Sequence, residues 1–429
     1  MKKKVGWLCF AYGWFSLAVL HSCASDSSRK GKTTALIPTI ESSAAKNQID
    51  FSAMSGNVTD SISCSGQPQL NYCLYLPSYY SVQKTFPIIF IFDAHADGKL
   101  PVSKYQSLAE EFGFVLAGSN NSKNGIPYDS LVNMAREMMQ DVSVKISTDG
   151  TRRYVMGFSG GARVAGVVAS TDNTIAGVIG CGAAYMDESY KSRPGLFCFG
   201  FAAKDDFNLL EMFRMHEYFE QAGIKNYLEV FEGKHEWPDS ETMRNAFEML
   251  TLTSPEKRQA LEKKVSVAGV NPSMAKAFEE ESIAQKKYID AFLGENIFWW
   301  KNEISNLQAC GNKNRDKEKQ HHCKRLLAYT GVAVYSFSNN AIKSYNDTEA
   351  EKLLQIYNMV DSQNSEQRYL EAILRVRQGN NYRAFALLNE AVNLGFSDLP
   401  RIEGEPDFQK LRGMDEYRHI IDKIKTPKP

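Results

Sequence analysis

Ser159 is the residue best placed to do chemistry. It sits at the centre of Gly157-Phe158-Ser159-Gly160-Gly161. Tyr154-Val155-Met156 ahead of it is short, apolar and partly β-branched, the pattern of a buried strand end. Ala162 to Val168 behind it can continue as a packed helix. A serine between a strand and a helix, in a G-x-S-x-G setting, is held on a sharp turn in a backbone conformation that most side chains resist. The flanking glycines allow that turn and let the helix pass close to neighbouring strands. The Gly160 N–H, at the new helix N-terminus, points toward any oxyanion formed beside the serine. Such a hydroxyl suits attack on a carbonyl. Taken alone, the pattern also fits a small-residue turn with no chemistry.

Nucleophilic attack by serine needs a base to take its proton and an acid to orient that base. After this kind of elbow the partners follow in the order serine, acid, histidine. The chain supplies that order. Phe201-Ala202-Ala203-Lys204-Asp205-Asp206-Phe207 follows one expected strand and Glu232-Gly233-Lys234-His235-Glu236-Trp237-Pro238 follows the next. His235 is the expected base, because His216 falls within a helix and His95 in an earlier loop. Asp205, one residue nearer its strand end, is taken as the acid, with Asp206 as the alternative. The other aspartate is free to cap the following helix.

The elements that must position these residues alternate. Strands are expected at Tyr72–Leu76, Phe86–Phe92, Phe114–Gly118, before Ser159, at Ile175–Gly180, Leu196–Gly200 and Tyr227–Phe231. Helical spacing runs between them, at Tyr128–Ser147, Glu211–Ala222 and Ser240–Leu252 among others. Alternation of this kind implies right-handed crossovers and an α/β, doubly wound, mostly parallel sheet. Reactive loops then gather at the carboxyl ends of the strands, where Ser159, Asp205 and His235 all fall.

Beyond Leu252 the strand pattern stops and the chain becomes helical and charged, which predicts a second, all-α domain over residues 253–429. Tyr335, Ser338, Asn346, Ala350, Leu353 and Leu354 recur as Tyr369, Ala372, Asn380, Ala384, Leu387 and Leu388. The offset of about 34 residues is that of a tetratricopeptide helix pair, placed at about 332–395. Asn380 falls where the turn between paired helices belongs. Two repeats are fewer than a stable stack needs, so helices within Glu256–Gln308 are expected to complete the core. A plain helical bundle is the other reading.

With 50 basic and 50 acidic side chains the chain has no formal net charge, and nothing favours nucleic acid or an anionic surface. Lys2-Lys3-Lys4 followed by apolar Val5–Leu20 reads as a targeting segment over residues 1–23. Leu20-His21-Ser22-Cys23 resembles a bacterial lipoprotein cleavage box, which would make Cys23 the lipidated first residue of an exported, membrane-anchored protein. Residues 24–57, rich in Ser, Thr, Lys and Ala, suit a flexible tether, and residues 58–252 then form the sheet domain. In an oxidising compartment Cys64 with Cys73, and Cys310 with Cys323, are candidate disulfides. Cys181 and Cys198 fit buried thiols equally well. His321-His322-Cys323 lacks a second ligand group at metal-binding spacing and is read as solvated helix surface.

GFSGGARVA at the elbow, AAKDDF, and GKHEWP at the histidine give residues ~70 to ~250 a resemblance to the α/β-hydrolase fold. Within it, they resemble bacterial esterases similar to feruloyl esterases and polyhydroxybutyrate depolymerases. The resemblance implies an acyl-enzyme mechanism on a carboxylic ester, possible on acylated or feruloylated polysaccharide, that requires no metal and no organic cofactor. It also implies an oxyanion hole shared by Gly160 and the loop after the third strand. The family has a His-Gly pair there and this chain has His95-Ala96, so the N–H of Ala96 or Asp97 would serve. Two further readings stand beside the esterase: a peptidase of the same fold, and a scaffold whose helical repeats bind a protein partner.

Overall fold

The computed structural model describes residues 51–186, 195–252, 254–265 and 272–426. The expected leader, Cys23 and the tether up to residue 50 lie outside the described residues. Residues 50–429 form one compact unit.

The sheet has eight strands: β1 (Val58–Ser63), β2 (Asn71–Tyr75), β3 (Phe86–Phe92), β4 (Val115–Ser119), β5 (Thr148–Phe158), β6 (Ile175–Cys181), β7 (Phe197–Ala203) and β8 (Asn226–Phe231). Their spatial order is β1-β2-β4-β3-β5-β6-β7-β8. β1 and β2 run antiparallel to their neighbours and every later pairing is parallel. Between the strands lie α1 (Lys99–Phe112), α2 (Tyr128–Lys145), α3 (Gly160–Thr171), α4 (Leu209–Gln221) and α5 (Ser240–Thr251). A mostly parallel, doubly wound sheet with a serine elbow leaving its fifth strand is the α/β-hydrolase architecture. β3 shows why it forms. All seven of its residues are buried, with Ile88, Phe90 and Phe92 in the core shared with α2, α3 and α4, and Ile89 and Ile91 in the core shared with α1 and α5. A strand covered on both faces needs this unbroken apolar run.

β1 lacks that signature. Its sequence, VTDSIS, is polar and half-exposed, as an edge strand can be. Residues 51–57, expected within the tether, are ordered against the sheet: Phe51 is buried in the core and the Gly56 N–H donates to the Leu76 carbonyl at 2.8 Å.

The chain continues through α6 (Pro255–Val265), α7 (Pro272–Gly294), α8 (Ile297–Lys313), α9 (Lys317–Lys343), α10 (Asp347–Val360), α11 (Ser365–Arg377), α12 (Asn381–Asn393), α13 (Leu399–Gly404) and α14 (Asp415–Lys425). α6 packs with the sheet core and α7 to α14 share a core of their own. The recurring residues take matching local structure. Asn346 and Asn380 both cap the second helix of a pair, accepting from the N–H of Glu349 and Arg383, with backbone angles that agree within a few degrees (φ −89°, ψ 73° and φ −92°, ψ 72°). Ala350 and Ala384, and the two Leu-Leu pairs, are buried at equivalent positions.

Cys310 and Cys323 form a disulfide joining α8 to α9. Cys64 and Cys73 do not pair: both are free and buried, Cys64 and Cys73 lying in the cores on opposite faces of the sheet. Cys73 takes its side from alternation along β2, whose Tyr72 and Leu74 face the core that holds Cys64. Cys181 and Cys198 are free and buried as well. Among the described residues no helix is long and apolar enough to cross a membrane.

Candidate active site

Ser159 has φ 53° and ψ −121°, a left-handed conformation that a non-glycine residue adopts at a cost of a few kcal/mol at most. It is held there by close packing that only glycine permits. A Cβ on Gly157 would lie 2.1 Å from the Gly161 carbonyl oxygen, and one on Gly161 would lie 2.0 Å from the Phe92 carbonyl oxygen. The start of α3 is thus pressed against the end of β3, and the Ser159 N–H is tied to the Cys181 carbonyl at 2.9 Å. Only the hydroxyl is left facing the strand ends.

His235 reaches it. The Nε2 atom lies 2.9 Å from Ser159 Oγ, and Nδ1 lies 3.0 and 2.9 Å from the two carboxylate oxygens of Asp206. With Nδ1–H donating to the carboxylate, Nε2 is free to accept the serine proton. The imidazole stands between the rings of Phe158 and Phe207, at 4.7 and 4.3 Å between centroids. Asp206 is 1% exposed. Its Oδ1 also accepts from the Asn208 N–H at 2.8 Å, while the Asn208 side chain donates to the Gly182 carbonyl. Gly182, at φ 64°, makes room: a Cβ there would meet both Asp206 and His235 within 3.3 Å.

The acid facing His235 is therefore Asp206, and Asp205 points the other way. Asp205 Oδ1 lies 2.5 Å from His321 Nδ1 and its Oδ2 accepts from Lys324 Nζ at 2.9 Å, both on α9. The two aspartates lie on one turn, closed by the Asp206 N–H on the Ala203 carbonyl, so consecutive side chains leave it on opposite sides. His321 and His322 are accordingly not solvated surface residues. His322 Nδ1 faces Glu281 at 3.2 Å. Among the described residues no group of three or more His, Cys, Asp or Glu side chains is arranged to hold a metal ion.

The oxyanion side is built differently from expectation. Gly160 opens α3, so its N–H belongs to the first turn, whose donors have no partner within the helix. Ala96 does take a positive φ of 62°, but its N–H donates to the Ser122 carbonyl at 2.8 Å. That bond, with a bridge between His95 and Lys123, fastens the 93–98 loop to residues 122–124. Ala96 is thus not aimed at the serine. The loop has an internal anchor in Asp93, which accepts from the His95 N–H at 2.7 Å and from Trp237 Nε1 at 2.9 Å. Burial pushes the Asp93 carboxyl up, but the hydrogen bonds from His95 and Trp237 outweigh it and hold the group below the ordinary range. His95 is raised, chiefly by its hydrogen bond to Asp93.

Two contacts of the site are not legible in the sequence. Asn124 places its side-chain oxygen 1.9 Å from where a Gly160 Cβ would stand, so it fills the space beside the elbow that the glycine leaves. Trp237, two residues after the histidine, packs tilted against Phe158 at 5.4 Å while bonded to Asp93, and so joins the histidine loop to the end of β3. α1 completes that support. Tyr105 donates to the Pro238 carbonyl at 2.7 Å and Lys104 to the Trp237 carbonyl at 3.2 Å.

No sequence-family profile matches the chain. Curated proteins give no match either. Solved structures do. A fluorophosphonate-binding serine hydrolase, FphF, of Staphylococcus aureus aligns at 12% identity and a TM-score of 0.36, over 46% of this chain and 96% of that one. A ferulic acid esterase aligns at 13% identity and a TM-score of 0.36, over 46% of this chain and 96% of that one. Esterase B of Lactobacillus rhamnosis aligns at 14% identity and a TM-score of 0.37, over 48% of this chain and 86% of that one.

Proposed function

We propose that the protein is a serine hydrolase that cleaves carboxylic esters through an acyl-enzyme. The observation that carries this reading is the continuous hydrogen-bonded line from Ser159 Oγ through His235 to Asp206. His235 Nε2 takes the hydroxyl proton as Ser159 Oγ bonds to the carbonyl carbon, and the imidazolium so formed faces the buried Asp206 carboxylate. The tetrahedral oxyanion is stabilised from the Gly160 end of α3. Collapse breaks the bond to the alcohol, which leaves with the proton from His235. Water then gives its proton to His235, attacks the acyl carbon and releases the acid, and Ser159 regains its proton. Acylated or feruloylated polysaccharide is the proposed substrate class, and lipidation of Cys23 on export the proposed location. The helical repeats, read as tetratricopeptide-like pairs, are proposed to hold a protein partner.

The engaged Ala96 N–H favours a second reading, a catalytically weak hydrolase. One missing oxyanion donor costs about 3 kcal/mol in well-studied serine hydrolases. Labelling with a fluorophosphonate probe separates the readings. The esterase reading expects labelling of the wild type, none of Ser159→Ala, and turnover of short p-nitrophenyl esters. Labelling without turnover supports the weak hydrolase, and a folded wild type that takes no label contradicts both.

A further inference from the structure

The charged contacts that α9 makes with the sheet domain centre on one short loop, Lys204-Asp205-Asp206, which carries the acid of the site. From α9, Arg325 Nη1 donates to the Lys204 carbonyl at 2.8 Å. Its Nε and Nη2 hold both oxygens of Glu281 on α7, at 2.7 to 3.1 Å. Glu281 is fully buried and Arg325 is 5% exposed. His321 and Lys324 clamp the carboxylate of Asp205. Lys204 pairs in turn with Glu232, three residues before His235. The turn of α9 that makes these bonds also holds Cys323, whose disulfide fixes it to α8.

Burying a complete ion pair and a carbonyl partner in this way is weak grounds for stability, because desolvation offsets much of the attraction. What the arrangement does supply is a fixed orientation. Arg325 presents a planar fork to Glu281 and a separate N–H to the loop backbone, a geometry that a flexible amine would not hold. Asp205 and Asp206 share one turn, so clamping the first outward limits how far the second can move from His235.

We propose that α9 is a positioning element for the catalytic acid: His321, Lys324 and Arg325 hold the 204–206 loop so that Asp206 stays in register with His235. The inference rests on the hydrolase reading above, which gives Asp206 its task. It makes the helical region part of the working enzyme and not only a platform for a partner.

The test uses the full chain and p-nitrophenyl acetate, with Asp205→Asn, Lys324→Met, the double variant and Lys324→Arg. A misplaced catalytic group costs rate with little change in binding, so the two single variants should each lose about tenfold in kcat at unchanged KM. Lys324→Arg, which can still pair with Asp205, should recover most of it. The double variant should lose no more than either single, because the two changes break one contact. A parallel NMR measurement follows the downfield proton shared by His235 and Asp206, which should shift or broaden in Asp205→Asn. Single variants within twofold of wild type in kcat, or losses that multiply in the double, overturn the proposal. If the wild type neither labels nor turns over, the hydrolase reading fails by itself, and the proton resonance still decides the clamp: unchanged in Asp205→Asn, it overturns it.

Discussion

At the scale of single residues, the site depends on which side of a turn a carboxylate leaves. Asp205 and Asp206 are chemically identical and adjacent, and only the turn geometry sends one to His235 and the other to Lys324. Nothing in the spacing of AAKDDF encodes that choice. The partners that claim Asp205 lie more than a hundred residues downstream, in a helix whose charges read locally as a solvated face. Trp237 is a similar case: it is visible in sequence beside the histidine, but its bond to Asp93 is not. Trp237→Phe keeps an aromatic ring against Phe158 and removes the indole donor from a buried carboxylate. It should cost about 1–3 kcal/mol of stability, read as a lower urea midpoint.

At the scale of elements, the sequence was most informative where one physical demand dominates. Strands buried on both faces cannot be polar, so β3, β4, β6, β7 and the end of β5 stand out as apolar runs. The elbow requires glycines at the positions where β3 and α3 touch, and they are present. β1 escaped notice because an exposed edge strand needs neither an apolar run nor strict alternation. The 93–98 loop is a different case. Positive φ at Ala96 fits an expected special turn, yet its N–H is used to fasten the loop to Ser122, a contact between segments that local pattern does not record. The turn at Asn380 was legible because capping is local. Asn346→Ala and Asn380→Ala should each lower stability by about 1 kcal/mol, and by similar amounts if the two caps are equivalent as their angles indicate. Thermal unfolding of the two variants checks both statements.

At the scale of the whole molecule, sheet and helices are joined by buried charge as well as apolar packing. Burial pushes the Glu281 carboxyl up, but hydrogen bonds from His322 and Arg325 outweigh it and hold the group below its ordinary value. Asp93 is depressed in the same sense. A carboxyl whose folded pKa lies below its unfolded one binds protons more readily when unfolded, so its stabilisation is present above the unfolded value and lost as pH falls. With ordinary values of 3.8 for aspartate and 4.5 for glutamate, the loss begins near those values and grows below them. The unfolding temperature should therefore drop as the solution is acidified through that window. Glu281→Gln should lower it at neutral pH and make the acid-side fall shallower, as a calorimetric series across pH would show.

The central claim is that Asp206 orients the base that activates Ser159. The most direct check is kcat of Asp206→Asn beside Asp205→Asn, on one p-nitrophenyl ester at one pH. Losing the acid that fixes the histidine tautomer costs about 10⁴ in kcat in a serine protease triad. A loss of that order for Asp206→Asn, against about tenfold for Asp205→Asn, is the expected result. Equal losses, or a larger one at Asp205, would contradict the account.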